Sequence, residues 1–377
     1  MAIITGPASL TARIRQAASR IGFFKVGITP ARLLPRAAFF DEWLGRKMQG
    51  EMAYLARQRD KRRSPHLLME TARSILVLGM NYYPGGNRCG GPLEGRVSRY
   101  AWGMDYHLLM RDRLNELREF VLREEPRAQV LCNVDSGPVM EKSWGAESSL
   151  GWMGKHTNLI CRELGSWFFL GTMLLDLELD YDAIEKDYCG GCTRCISACP
   201  TGAIVAPYII DARLCISYLT IELRGPIPLP LRSLIGNRVF GCDDCQEACP
   251  WNRFAALTTE AGFRTGAGNR LGDLIPLVNM TPAQFNDHFK KSAILRAKRD
   301  GFTRNVVVAL GNSHREEAMP ALGTALNDQS PLVRGHAAWA LGQIGSQRAR
   351  SLLYTALSTE LDPQARTEIE TALQNQA

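Results

Sequence analysis

Apolar residues recur at helical spacing in two early stretches, Ser9 to Ile21 and Asp105 to Leu122. In the second, positions 108, 109, 114, 117, 120 and 121 form one face. Short runs with a strand signature follow: Ser74-Ile-Leu-Val-Leu-Gly79 is almost wholly apolar, and Val130-Leu-Cys-Asn-Val134 and Ser166 to Leu177 are rich in branched and aromatic residues. Helix and strand patterns thus alternate over the first 180 residues. That predicts an α/β domain, or an α+β one, because strand order cannot be read from the pattern.

The pattern then breaks. From about 181 to 260, Cys, Gly and Pro displace the apolar positions, and a segment with so little core of its own needs metal to fold. Beyond Pro250 a linker rich in Thr, Gly and Arg leads to a helical region over about 270–377 that repeats itself. Val308-Ala-Leu-Gly-Asn312 returns as Trp339-Ala-Leu-Gly-Gln343, 31 residues later. Ala325-Leu-Asn-Asp328 returns as Ala356-Leu-Ser-Thr359, and Val333-Arg334 as Ala365-Arg366. A period near thirty with paired helices reads as a HEAT-like repeat, and stacked helix pairs make binding surfaces rather than active sites. The expected organisation is α+β and multi-domain: 1–180 catalytic, 181–260 metal-binding, 270–377 docking.

Length agrees, since 377 residues exceed one ordinary domain, and the apolar and charged fractions of 45% and 22% are those of a folded soluble chain. The first twenty residues lack the apolar stretch of an export signal, and no run reaches the length needed to span a bilayer; a cytoplasmic protein is expected. A formal net charge of +7 mildly favours an anionic partner.

The cysteines change the picture most. There are eleven, and in a chain without an export signal they point to metal rather than disulfides. Eight lie between 189 and 249. The run Cys189-x2-Cys192-x2-Cys195-x3-Cys199-Pro200 has the spacing of bacterial ferredoxins, in which three thiolates hold one 4Fe–4S cluster and the fourth, before Pro, holds another. The second run, Cys242-x2-Cys245-x3-Cys249-Pro250, is one thiolate short, and Cys215 supplies it most economically. One cluster is therefore assigned Cys189, Cys192, Cys195 and Cys249, the other Cys199, Cys215, Cys242 and Cys245. A zinc site would close on two Cys pairs, without the third Cys or the Cys-Pro ending. Cys89, Cys132 and Cys161 are expected to be inert. Such clusters move single electrons, so the first 180 residues should hold a second cofactor or a reducible substrate.

Three polar motifs stand in that domain. Arg99-Tyr-Ala-Trp-Gly103-Met-Asp105-Tyr-His107 is one; Asn133-Val-Asp135-Ser-Gly-Pro138 places a carboxylate where a strand ends in a turn, by itself often only a turn-capping Asp. The third, Gly151-Trp-Met-Gly154-Lys155-His-Thr-Asn158-Leu-Ile160, is two residues short of a P-loop. Together with the two cysteine runs, Cys215-Ile-Ser-Tyr-Leu-Thr220 and the helical repeat, these motifs resemble the epoxyqueuosine reductase family over nearly the whole chain.

The resemblance implies a fold related to reductive dehalogenases. It also implies cobalamin beside two 4Fe–4S clusters, and reduction of epoxyqueuosine to queuosine at the wobble position of tRNA. It places the proton donor on Asp135 and cobalamin contacts on Arg62, Ser98, Asp135, Ser217 and Asp243; Lys155 is added on chemistry. A donor carboxyl at neutral pH should have its pKa raised by burial. Asp105-x-His107 is similar to a cobalt-ligating motif, but position 110 is Met and the family uses no such ligand, so His107 reads as structural or pocket-lining. The cations Lys290, Lys291, Arg296, Lys298, Arg299 and Arg304, and the run Arg57, Arg59, Lys61, Arg62, Arg63, suit RNA phosphates. An external donor of the ferredoxin or flavodoxin class and a monomeric state are also expected. Two alternatives remain: a corrinoid reductive dehalogenase, disfavoured by the missing twin-arginine signal and the repeat, and a bare electron-transfer module, which would bind no corrinoid.

Overall fold

A computed structural model of the chain describes residues 8–86, 91–264 and 271–374, so Cys89 lies outside the described residues. Helix α1 (Leu10–Ile21) begins at Ser9, whose hydroxyl accepts from Ala12 N. Then come β1 (Lys25–Pro30), β2 (Ser74–Asn81), α2 (Tyr106–Glu124), β3 (Val130–Asn133), α3 (Glu141–Ala146) and β4 (Phe168–Leu175). The strands form one sheet in the order β1-β2-β4-β3, and every neighbouring pair is antiparallel. That resolves the first domain as α+β.

An antiparallel sheet usually wets one face and then alternates in polarity. Here both faces are covered, which is why β2 reads as a nearly continuous apolar run. Leu76, Leu78 and Met80 pack with Met173 and Leu175 against α1 and α2. Ile75, Val77 and Leu174 face the other way, onto Trp144, Leu150 and Leu159. The buried face of α2 is Met110, Leu114, Leu117 and Val121, which keeps positions 114, 117 and 121 of the expected stripe but takes Met110 in its first turns, where Leu108 is exposed.

The helices of the cysteine-rich stretch are short, among them α4 (Arg194–Ser197), α5 (Ile216–Ile221) and α6 (Asp244–Glu247), and its strands are two- or three-residue pieces. Its later part does not keep a core to itself. Ile216, Leu219, Ile227, Val239 and Phe240 share one apolar cluster with the helical repeats.

Those repeats are α7 (Lys298–Ser313) with α8 (Met319–Ala325), α9 (Pro331–Ile344) with α10 (Gln347–Thr359), and α11 (Pro363–Gln374). The 31-residue period has a packing reason. A Cβ on Gly311 would lie 2.8 Å from Ala340 Cα, and one on Gly342 would lie 3.1 Å from Ala372 Cβ. At each repeat the glycine lets the next helix close against its neighbour.

Candidate active site

The eight motif cysteines separate into two groups in space. Cys189, Cys192, Cys195 and Cys249 line a small hollow with Tyr188, Trp251 and Lys155. Cys199, Cys215, Cys242 and Cys245 line a larger cavity of about 550 Å³. The division is the reciprocal one expected from the spacing. Within each group the thiols stand around a volume; among the described residues no three His, Cys, Asp or Glu close on a single ion. Such a donor set fits a cubane better than zinc. Burial pushes Cys249 up to about 11 and Cys242 up to about 12, so a positive centre is needed to keep these thiols ionised.

The cavity joins the second thiol group to the first domain. Its walls include Tyr82, Tyr100, Tyr106, Phe168 and Phe169, and Asp135, Glu141 and Lys142 also line it. Asp135 sits at the apex of a tight turn, with a positive φ of 51° and the Ser136 N–H turned onto Val134 O. This conformation is costly for a residue with a side chain. Gly137 packs closely beside it: a Cβ there would fall 1.9 Å from Asn133 Oδ1, so that side chain would have to move.

Two residues from the start of α2 hold the Asp135 carboxylate. The Tyr106 hydroxyl donates to Oδ2 at 2.5 Å, and His107 Nε2 lies 3.7 Å from the same oxygen. The other ring nitrogen, His107 Nδ1, is 2.7 Å from Asp105 Oδ1, which also accepts from His107 N and so caps the helix. Tyr106 is stacked on Phe169 with ring centroids 4.4 Å apart. On the opposite side, Asp135 N donates to Glu141 Oε1 at 3.0 Å.

This arrangement corrects the expected protonation. Burial raises the Asp135 carboxyl, but hydrogen bonds from His107 and Tyr106 outweigh it and hold the group below the usual carboxylate range. The protons lie on its neighbours. Burial opposes charge on His107, yet the carboxylates of Asp105 and Asp135 push it up to about 9. Burial, reinforced by Asp135, raises Glu141 to about 8. Sequence reasoning alone sets His107 aside and passes over Tyr106 and Glu141. The signal available is the Asp105-x-His107 pair, whose carboxylate fixes the ring.

The expected cofactor contacts divide. Ser98 and Ser217 reach the cavity. Ser98 Oγ also donates to Asp243, which is buried and accepts from Arg99 N at 2.9 Å. Ser217 Oγ accepts from Cys242 N at 3.1 Å and so ties the Cys215 helix to the second cysteine run. Arg62 is only 7% exposed; among the described residues it has no carboxylate within ion-pairing distance, and its Nε has no partner. Lys155 is not brought to the cavity: its ammonium donates to Gly190 O at 2.6 Å and Cys192 O at 3.0 Å, pinning the loop over the first hollow. The motif that carries it is a two-strand hairpin, Trp152–Met153 with Leu159–Ile160, and not a phosphate loop.

The basic segments are smaller than their number of cations suggests. Arg304 is fully buried and donates to Leu219 O, Leu223 O and Gly225 O, capping the end of α5. Arg296 pairs with Glu222 at 2.7 Å, Arg299 with Asp328, and Arg59 with Asp41 at 2.6 Å. Arg63 also faces Asp41, at 3.4 Å. Lys290, Lys291 and Lys298 remain exposed, without a carboxylate partner among the described residues. Lys291 stands beside the start of α2, since Asp105 N donates to Lys291 O at 2.7 Å.

A corrinoid with amide arms and a phosphate suits the chemistry of this lining. The cavity has aromatic walls and hydroxyls, His156 lines it with a buried Nε2 that has no partner, and the unpaired Arg62 guanidinium lies close enough to Asp135 and Glu141 to feel their charge.

Fold and site together define an iron–sulfur oxidoreductase whose second cluster site opens into a reaction cavity, joined to a helical-repeat module. Comparisons with known proteins agree part by part. The family model for epoxyqueuosine reductase QueG, DUF1730, matches residues 62–136; that for a 4Fe–4S double cluster binding domain matches 188–252; that for HEAT repeats matches 292–374. The epoxyqueuosine reductase of Xanthomonas campestris is 44% identical over 345 residues, covering 90% of this chain and 97% of that one. That of Salmonella typhimurium is 42% identical over 338 residues, covering 89% and 88%. A crystal structure of epoxyqueuosine reductase with an epoxyqueuosine-modified tRNA-Tyr stem loop superposes with a TM-score of 0.91 at 29% identity, over 97% of this chain and 98% of that one. A Bacillus subtilis structure with its catalytic aspartate loop swung out of the active site superposes at 0.90 with 28% identity, over 97% and 98%. The chain belongs to the epoxyqueuosine reductase family, and its reaction is the reduction of epoxyqueuosine to queuosine.

Proposed function

We propose that Asp135 gives the proton to the departing epoxide oxygen of a wobble nucleoside, and that His107 and Glu141 keep it supplied. The single observation behind this is the placement of Asp135 between two proton-bearing neighbours, in a cavity that also exposes the second set of cluster cysteines. The balance is simple. Both C–O bonds of the epoxide break, a C=C bond forms, and two electrons and two protons convert the oxygen to water. His107, protonated at neutral pH, hands a proton through its contact with Asp135 Oδ2; Glu141 holds a second. Tyr106, stacked on Phe169, orients the carboxylate.

Cys189, Cys192, Cys195 and Cys249 would hold one cluster and Cys199, Cys215, Cys242 and Cys245 the other, and such clusters would supply electrons one at a time. Cobalamin, when bound in the cavity, supplies the low-potential centre that passes them to carbon. Ser98, Ser217 and His156, which line the cavity, would hold its polar groups, and Asp243 would fix Ser98. The substrate is tRNA, as in the stem-loop complex of the related enzyme. Lys290, Lys291 and Lys298 would neutralise its phosphates beside the cavity while the unpaired base enters. The protein would act as a cytoplasmic monomer fed by an external one-electron carrier.

Asp135→Asn tests it. The variant should keep both clusters, cobalamin and stem-loop affinity but lose about 10²–10⁴ in single-turnover rate. Full activity would sink the assignment.

A further inference from the structure

The electrons must come from outside, and the two cysteine groups differ as points of entry. The second group faces the reaction cavity. The first lies under the outer surface. Gly190 and Gly191, between its ligands, are exposed, and a side chain on either would meet nothing within 4 Å.

The surface around that opening is both aromatic and cationic. The Arg162 guanidinium lies over the Tyr188 ring at 4.9 Å, and Arg253 lies over Phe254 at 4.6 Å. Between them the rings are continuous, Tyr188 to Trp251 at 5.9 Å and Trp251 to Phe254 at 5.9 Å. Tyr188 and Trp251 line the hollow of Cys189, Cys192, Cys195 and Cys249 itself. Lys186 and Arg194 flank the Cys189–Cys192 loop in sequence and are exposed. Among the described residues, none of Arg162, Lys186, Arg194 and Arg253 has a carboxylate within ion-pairing distance. The nearby acids are largely engaged: Glu163 pairs with Lys25 at 3.0 Å, and Asp187 accepts from the Tyr208 hydroxyl and from Cys189 N. Even with Asp187 and Glu185 counted, the face is net positive.

We propose that this face docks an acidic one-electron carrier protein, whose electrons enter at the Cys189 cluster and leave toward the cavity from the Cys215 cluster. Unpaired cations around an exposed redox centre steer an anionic partner, and the flat aromatic strip gives it a contact that need not be tight. The proposal rests on the cluster assignment above. It places the donor on a different element from Lys290, Lys291 and Lys298.

The test uses the reconstituted holoenzyme carrying Arg162→Glu and Arg253→Glu together, with reduced flavodoxin as the acidic carrier and dithionite as a small reductant. Cluster bleaching is followed by stopped flow. The flavodoxin rate should fall about tenfold or more at low salt, and the gap should narrow as salt rises. The dithionite rate and stem-loop affinity should be unchanged. An unaltered flavodoxin rate would overturn the proposal, as would a matching loss of stem-loop affinity, which would make the face an RNA surface. If the variant's visible spectrum shows one cluster missing, the fault lies in the cluster assignment beneath the proposal, and both are withdrawn. Arg162→Gln with Arg253→Gln, which only removes charge, should give a smaller loss of the same salt dependence.

Discussion

The hydroxyl of Tyr106 donates to Asp135 Oδ2 at 2.5 Å, so the first residue of a long helix holds the side chain of a strained turn 29 positions away. This bond keeps the carboxylate in the cavity and ionised until His107 delivers a proton. In Tyr106→Phe the carboxylate loses a charge-assisted bond worth about 1.5–3 kcal/mol. Single turnover should slow by about ten- to a hundredfold, with stem-loop affinity and cluster spectra unchanged. Wild-type turnover in this variant would show that the bond does not position Asp135.

A second expectation concerns pH. Turnover should fall on the alkaline side as Glu141, near 8, and His107, near 9, lose their protons. Stability should move the same way. Both groups are raised in the folded chain, so Glu141 costs stability as pH climbs from about 4.5 to 8, and the His107 contribution, complete below about 6.5, is lost by about 9. Asp135 acts oppositely: its lowered carboxyl contributes above its ordinary value of 3.8 and is lost on acidification. A pH–rate profile of His107→Gln that kept the limb near 9 would exclude His107 as its source.

Arg304 should behave as a structural residue despite standing in a basic segment. Arg304→Met leaves the carbonyls of Leu219, Leu223 and Gly225 without their donor, inside the core shared by α5 and α7. Loss of about 3–5 kcal/mol of stability is expected. Thermal unfolding of the variant at the wild-type temperature would contradict the burial argument.

The three free lysines should do what the arginines cannot. Lys290→Gln, Lys291→Gln and Lys298→Gln together should weaken stem-loop binding and flatten its log–log salt dependence by about 0.7–0.9 for each phosphate no longer neutralised. Arg299→Gln should leave that slope unchanged, because its charge is already spent on Asp328. Equal slopes in all variants would move the RNA elsewhere.

The two cluster sites and the helical repeat were legible in the sequence because the signal is local. Ligand spacing within Cys189–Cys199 and Cys242–Cys249 is set by a few backbone turns, and the 31-residue period by a glycine that lets one helix meet the next. Asp135 read by its own neighbours was only a carboxylate in a turn, and its role as proton donor came from the resemblance of the motifs around it.

What surrounds Asp135, and therefore where the protons sit, was decided by the tertiary structure. Its charge state depends on Tyr106 and His107, which sequence separates from it and packing of α2 on the sheet returns to it. The same long-range packing buried Arg304, neutralised Arg296 and Arg299, and drew Lys155 to the loop over the first cluster. Spacing along the chain fixes which residues can share a ligand over a few turns. Only the folded chain fixes the distances between distant charges, and those distances set protonation and partner choice.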